Sequence, residues 1–302
     1  MNNTSKLTEY IYSDAYLGWN LGYGHPAQAR RARNTLDALH ALSVPMTVVA
    51  PAAASRDDLL LVHDPVYVDR VLDGWCDEWF ESGQRRDLAV VAATMYGGTI
   101  DAARRIITGE TVRAFNPQGA KHHAHHDHSH GFCVFNDHAA AARLFVDAGM
   151  RVAYLDWDAH HGDGVEALTA DMPDVLTASV HNRDIFPWSG DAHEPARNVW
   201  NYSLMAGADD AFLTAAVEAA LVRIAEFRPD VILLAAGADG HRDDPLGGLS
   251  YTQEGVIAAT SRVRRLADDL CGGRILAGGA GGYRPDDATP SMWVAACTVL
   301  SL

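Results

Sequence analysis

Cysteine is scarce in this chain, with four in 302 residues, at Cys76, Cys133, Cys271 and Cys297, and no Cys-x-x-Cys spacing. A chain this long does not need disulfide staples, so the thiols read as reduced, in a cytoplasmic protein. Basic residues are in deficit: 24 Lys and Arg stand against 39 Asp and Glu, a formal net charge of −15. Binding a nucleic-acid backbone needs a basic face, so no nucleic-acid partner is expected. The same field suits a cationic substrate and serves plain solubility equally well. Long apolar runs are missing too, and none approaches the ~20 residues that cross a bilayer. The segment Met1-Asn2-Asn3-Thr4-Ser5-Lys6 lacks the apolar core of a signal peptide. There is no long linker, low-complexity tract or repeat. Residues 1–302, 48% of them hydrophobic, therefore read as one domain with a large core.

What is present is an alternation of apolar runs and helical patterns. Thr47–Ala50, Thr111–Asn116, Arg151–Asp158, Val175–His181, Val231–Asp239 and Arg274–Gly279 read as strands. Several are apolar on both faces, as central parallel strands are. Asp209–Phe227 sets Leu213, Val217, Leu221 and Ile224 on one helical stripe. Asp87–Gly109 and Thr252–Leu270 also read as helices, the latter interrupted near its start by Gly255. The expected fold is α/β, a single-domain three-layer sandwich around a mostly parallel sheet. The loops His122–Asp137, Asn182–Tyr202 and Gly240–Ser250 hold the polar clusters. They fall at strand carboxyl ends, where open parallel sheets build their sites.

The richest cluster is Asp156-Trp157-Asp158-Ala159-His160-His161-Gly162-Asp163-Gly164. Ionised groups closing a buried strand are costly unless paired or bound to a metal. Asp158 and His160, two apart, point the same way in extended chain. Asp239 ends another apolar run and reads either as an N-cap or as a further ligand. Two aspartates and a histidine suit one catalytic zinc with a position left open. A second cluster, Lys121 to His130, holds six of the fifteen histidines. His122 and His123 follow a strand end and can divide the work of general base and acid. His125, His126, His128 and His130 read as an exposed polar loop or an adventitious metal binder. The third cluster, Gly278-Gly279-Ala280-Gly281-Gly282-Tyr283, allows close backbone approach and ends on a tyrosine whose hydroxyl could donate to an oxyanion; seen alone it reads as a flexible turn with a packed tyrosine. It matches neither phosphate-loop pattern, G-x-x-x-x-G-K-[ST] nor G-x-G-x-x-G.

Together these residues resemble the histone deacetylase superfamily, with its bacterial acetoin-utilisation proteins and acetylpolyamine amidohydrolases. The resemblance begins at Gly24-His25-Pro26 with Arg31 and at Leu61–Tyr67. It continues through His122-His123 with Gly131–Asp137, Asp156–Gly164, Ser179-Val180-His181, Phe186-Pro187, Gly237-Ala238-Asp239 and Gly281-Gly282-Tyr283. It implies an arginase/deacetylase-like fold and a zinc-dependent hydrolase of linear amide C–N bonds. Asp158, His160 and Asp239 would bind one zinc. His122 would pair with Asp156 and His123 with Asp163, His123 serving as main base and acid for metal-activated water. Tyr283 would donate to the oxyanion. Gly131 would accept from the substrate amide, and Phe132 and Phe186 would flank its alkyl chain. A potassium ion is expected at Asp156, Asp158, His160, Ser179 and Val180, and Arg31 beneath the site where acetate leaves.

The chain departs from the family pattern at Gly119-Ala120-Lys121, in the histidine loop, at Ala280, at Arg284 and in the rim segment Asp73–Glu81. The rim reads either as a cation-attracting mouth, through Trp75 or Trp79, or as a solvated acidic face with two packed tryptophans. The expected substrate is an acetylated amine, acetyl-lysine or acetylpolyamine, with no membrane partner and homo-oligomerisation left open. Two other readings stand beside it. One is an arginase-like binuclear ureohydrolase, although Gly162 occupies the place of that class's second bridging aspartate. The other is a catalytically silent metal-binding regulator.

Overall fold

The computed structural model describes residues 7–22 and 24–302; the Met1–Lys6 segment lies outside them. Eight strands form one sheet: β1 Thr8–Ile11, β2 Met46–Val49, β3 Arg113–Asn116, β4 Val152–Asp156, β5 Val175–Asn182, β6 Val199–Leu204, β7 Val231–Ala235 and β8 Ile275–Gly278. Their order is β2-β1-β3-β8-β7-β4-β5-β6, and every neighbouring pair is parallel. The helices are α1 Arg30–Ala41, α2 Arg56–Leu59, α3 Pro65–Leu72, α4 Arg86–Ile107, α5 Asp137–Asp147, α6 Asp163–Thr169, α7 Asp210–Phe227, α8 Gln253–Leu270 and α9 Ala288–Ser301.

Side chains alternate across the sheet, and each parity meets its own helices. Tyr154 and Leu233 pack with Ile106 of α4, Phe145 of α5 and Val165 of α6. Leu155 and Leu234 pack with Leu213 of α7, Val263 of α8 and Trp293 of α9. This is the expected three-layer α/β sandwich, with the interior strands of the sheet buried on both faces. Each fully buried Leu or Ile contributes about 1.5–3 kcal/mol.

The expected strand ends need correction. The β4 ladder stops at Asp156, and β7 stops at Ala235. Beyond Asp156 the carboxylate itself takes the next available N–H, from Asp158 at 2.8 Å. Part of the expected 182–202 loop is β6, the edge strand paired with β5. β1, unexpected from the sequence, is interior and fully buried.

Candidate active site

Four strand ends converge at the carboxyl edge: Asn116 of β3, Asp156 of β4, Ala235 of β7 and Gly278 of β8. Asp156 shares its face with Tyr154, whose hydroxyl donates to Asp156 Oδ2. The same oxygen lies 2.7 Å from His122 Nδ1. His123 Nδ1 lies 2.6 Å from Asp163 Oδ1, and the two imidazole rings are 4.0 Å apart. Both histidine–aspartate pairs expected from the sequence are therefore formed.

The turn that delivers the histidines is built from buried polar groups. The Asp137 carboxylate accepts from the N–H groups of Ala120 (2.9 Å) and Lys121 (2.7 Å). Asn136 caps α5 by accepting from the Ala139 N–H, and its amide donates to the Ala124 carbonyl at 2.9 Å. His63 Nε2 accepts from the Asn136 N–H, while its Nδ1 bonds the His125 carbonyl. Asn136, Asp137 and His63 all stood in the family-like motifs, but spacing alone does not reveal what they hold.

Asp158, His160 and Asp239 form a buried group whose ligating atoms all lie within 4.8 Å of one another. The Asp158–His160 pair meets through a bend, not through strand alternation: the His160 N–H donates to Asp158 Oδ1 at 2.9 Å. The Ala159 N–H donates to Asp239 Oδ1 at 2.8 Å, and the Gly281 N–H to Asp158 Oδ2 at 2.5 Å. His160 Nδ1 sits 3.1 Å from Asp158 Oδ1 and 2.9 Å from Asp239 Oδ2. Burial would lower the His160 pKa, but the two carboxylates outweigh it and raise it to about 10. Burial and the facing Asp158 push Asp239 up to about 7. Such a pocket stabilises positive charge strongly, and two carboxylates with one imidazole balance a divalent ion. The donor set fits the expected zinc. Asp163 is turned to His123 and lies outside this group. Of the residues named for potassium, Asp158 and His160 belong to this group, and Asp156 of β4 is in register with Ser179 of β5.

The electrostatics separate His122 from His123. Burial opposes charge on His122, yet Asp156 and Asp158 raise its pKa to about 9. Burial and the adjacent His122 lower His123 to about 3. The surroundings thus favour the charged form of one ring and the neutral form of the other. Burial, then Asp239 and Asp158, push the Tyr283 hydroxyl well above its ordinary value, so it stays a donor. The Tyr283 backbone N–H is fixed by Asp244 at 2.7 Å.

Above this floor opens a largely apolar cavity of about 530 Å³, walled by Phe132 and Phe186 and reaching His123, His160, Gly131 and Tyr283. Trp188, stacked edge-on against Phe186 and 72% exposed, extends that wall; the sequence signal was an aromatic directly after Phe186-Pro187. Gly131 has a φ of +54°, and a Cβ there would sit 2.5 Å from the His123 ring. Beneath lies a chamber of about 20 Å³ bounded by Arg31, Lys121 and Cys133. Arg31 is buried there and donates to the Gly282 carbonyl at 2.8 Å. Burial and Arg31 lower the Lys121 pKa to about 8.

The rim divides between its two readings. Trp79 is packed, its indole donating to Gly74 and its ring meeting Trp19, whereas Trp75 is 41% exposed. Glu78 turns inward and accepts from the Phe132 N–H at 3.0 Å. His161 binds no metal group: its nitrogens meet Ser189 and Glu166.

Comparisons with known proteins point to one family. The histone deacetylase domain profile matches residues 25–300. The chain is 34% identical to the acetoin utilization protein AcuC of Bacillus subtilis (strain 168), over 94% of this chain and 79% of the relative. It is 30% identical to a probable deacetylase of Archaeoglobus fulgidus, over 94% of this chain and 83% of that one. The solved HDA15 HD domain superposes with a TM-score of 0.83 at 26% identity, over 97% of this chain and 90% of that one. Among the described residues no helix is long and apolar enough to cross a membrane. On matches that span nearly its whole length, the chain belongs to the histone deacetylase family.

Proposed function

We propose that the protein is a zinc-dependent deacetylase that removes an acetyl or other small acyl group from an amine such as acetyl-lysine or an acetylated polyamine. The observation that carries this reading is the meeting of the Asp158–His160–Asp239 group with the His122–Asp156 and His123–Asp163 pairs beneath one apolar cavity. Asp158, His160 and Asp239 would hold the zinc, which when bound would supply a Lewis acid and bring the pKa of water toward about 7. His123, neutral and aligned by Asp163, accepts the proton of the attacking water. It returns that proton to the amine nitrogen as the C–N bond breaks, leaving acetate and a free amine. His122, held cationic by Asp156, stabilises the negative charge that develops. The Tyr283 hydroxyl donates to the carbonyl oxygen as it becomes an oxyanion. The Gly131 carbonyl accepts from the substrate amide N–H, and Phe132 and Phe186 grip the alkyl chain. Acetate leaves past Arg31. A potassium ion at Asp156, Asp158, His160, Ser179 and Val180 belongs to the same proposal.

A substrate panel tests it: acetyl-lysine peptides against acetylated spermidine, putrescine and cadaverine, each with and without chelator. The expected result is hydrolysis of at least one class, abolished by chelation and restored by zinc. No turnover anywhere on the panel with zinc bound overturns the reading. Tyr283→Phe is expected to lower kcat by about 10²–10³-fold with zinc stoichiometry unchanged. Near-normal turnover in that variant would remove Tyr283 from its role.

A further inference from the structure

A second ligating group lies in the histidine-rich loop. Among the described residues, His125, His130 and Asp163 form the one other set whose donor atoms fall within 4.8 Å of each other. His125 Nε2 and His130 Nδ1 each lie 3.2 Å from Asp163 Oδ2. Donors around a tetrahedral zinc, with bonds of about 2.0 Å, are about 3.3 Å apart. The cluster therefore already has nearly the required spacing.

Hydrogen bonding alone does not account for it. His125 bonds the carboxylate. His130 Nδ1, at the same distance, makes no hydrogen bond although the atom is sealed from solvent. A buried polar atom that faces a carboxylate without hydrogen-bonding to it is costly, and a cation at the centre of the three donors would satisfy it.

The scaffold is rigid. The His125 N–H donates to the His128 carbonyl at 3.0 Å, and the His125 carbonyl is held by His63. His130 and Cys133 exchange both backbone hydrogen bonds, at 3.0 and 2.9 Å. Asp163 is set in the first turn of α6. Two imidazoles and one carboxylate select zinc-like transition metals over magnesium or calcium, which prefer all-oxygen shells. The His125 and His130 side chains are 24% and 37% exposed, so this cluster opens to solvent, whereas Asp158 and Asp239 are sealed.

Asp163 links this cluster to the chemistry. Its Oδ2 faces His125 and His130, while its Oδ1 holds His123 Nδ1 at 2.6 Å. We propose that His125, His130 and Asp163 form a second, exchangeable site for a divalent transition metal, and that its occupation inhibits the enzyme. A dication on Oδ2 draws the carboxylate's electron density away from Oδ1 and slackens the bond that aligns His123. The inhibition rests on the deacetylase reading; the binding does not.

The test uses full-length protein carrying one equivalent of Zn²⁺. Further Zn²⁺, and separately Co²⁺ followed by its visible absorption, is titrated in while turnover is recorded. The wild type is expected to take up one further equivalent and to lose turnover as it does. His125→Gln with His130→Gln should weaken that second binding on the order of 100-fold, retain the first equivalent and resist inhibition. His126→Gln with His128→Gln should behave as the wild type. Second binding that survives in the first variant, or vanishes in the control, overturns the site. Second binding that leaves turnover unchanged overturns the inhibition. A panel with no turnover in any protein, alongside the expected binding pattern, sinks the deacetylase reading and leaves the metal site standing.

Discussion

Gly281 has space for a hydrogen and little else. A Cβ there would lie 2.2 Å from Asp239 Oδ2 and 2.6 Å from Asp158 Oδ2, and the Gly281 N–H is itself bonded to Asp158. Gly281→Ala must spread the two carboxylates. The expected outcome is a 10–100-fold loss of zinc affinity, measured by competition with a chromophoric chelator, in a protein whose circular dichroism is unchanged. Retained affinity would mean the carboxylates relax freely. At this scale much of the site was readable from type and order: Asp158, His160 and Asp239 meet, and each histidine of the pair finds its aspartate. The unread part consists of buried polar groups that brace the site. Asn136, Asp137 and Asp244 do this through bonds to backbone distant in sequence. Those contacts are made by the fold, so no local pattern announces them.

The segment Asp77–Ser82 links the rim to the cavity wall through Glu78, which clamps the backbone of Phe132, a residue held at a φ of +64°. Burial, opposed by the Phe132 N–H, pushes the Glu78 carboxyl up to about 7. A carboxyl raised above its unfolded value, about 4.3, binds more protons when folded. Its contribution is complete below that value and is lost as pH rises to about 7. Glu78→Gln keeps an acceptor for Phe132 without the charge. Its stability relative to the wild type is expected to climb between pH 4.5 and 7.5, read as the shift in urea midpoint. A pH-independent difference would place the charge in water. Elements with a clear pattern were legible, as the α7 stripe and β7 were. β1 and β6 were not. Thr8 and Glu9 are polar in an interior strand, the Glu9 charge being met by Arg105 at 2.6 Å. β6 carries Asn201 and Ser203 along the sheet edge, so its composition resembles a loop.

For the whole molecule, the −15 charge acts on anything that approaches. Attraction of a cation is screened beyond about 10 Å at 0.1 M salt. If the substrate is an acetylated polyamine, kcat/KM should fall several-fold between about 20 and 300 mM NaCl, while that for an uncharged acetyl-lysine peptide holds steady. Equal responses would leave the acidic surface to solubility alone. The sheet order has a temporal consequence. Within the ladder, β2-β1-β3 joins β7-β4-β5-β6 only through β8. All three proposed zinc ligands have been synthesised by residue 239, yet the strand that unites the two halves, and the Gly281 and Tyr283 that follow it, are added some forty residues later. Domains generally fold as units during synthesis, and this site cannot be completed until residue 283 has been made. A product broken off between residues 239 and 281 therefore carries the three metal donors without the glycine and the tyrosine that close the site.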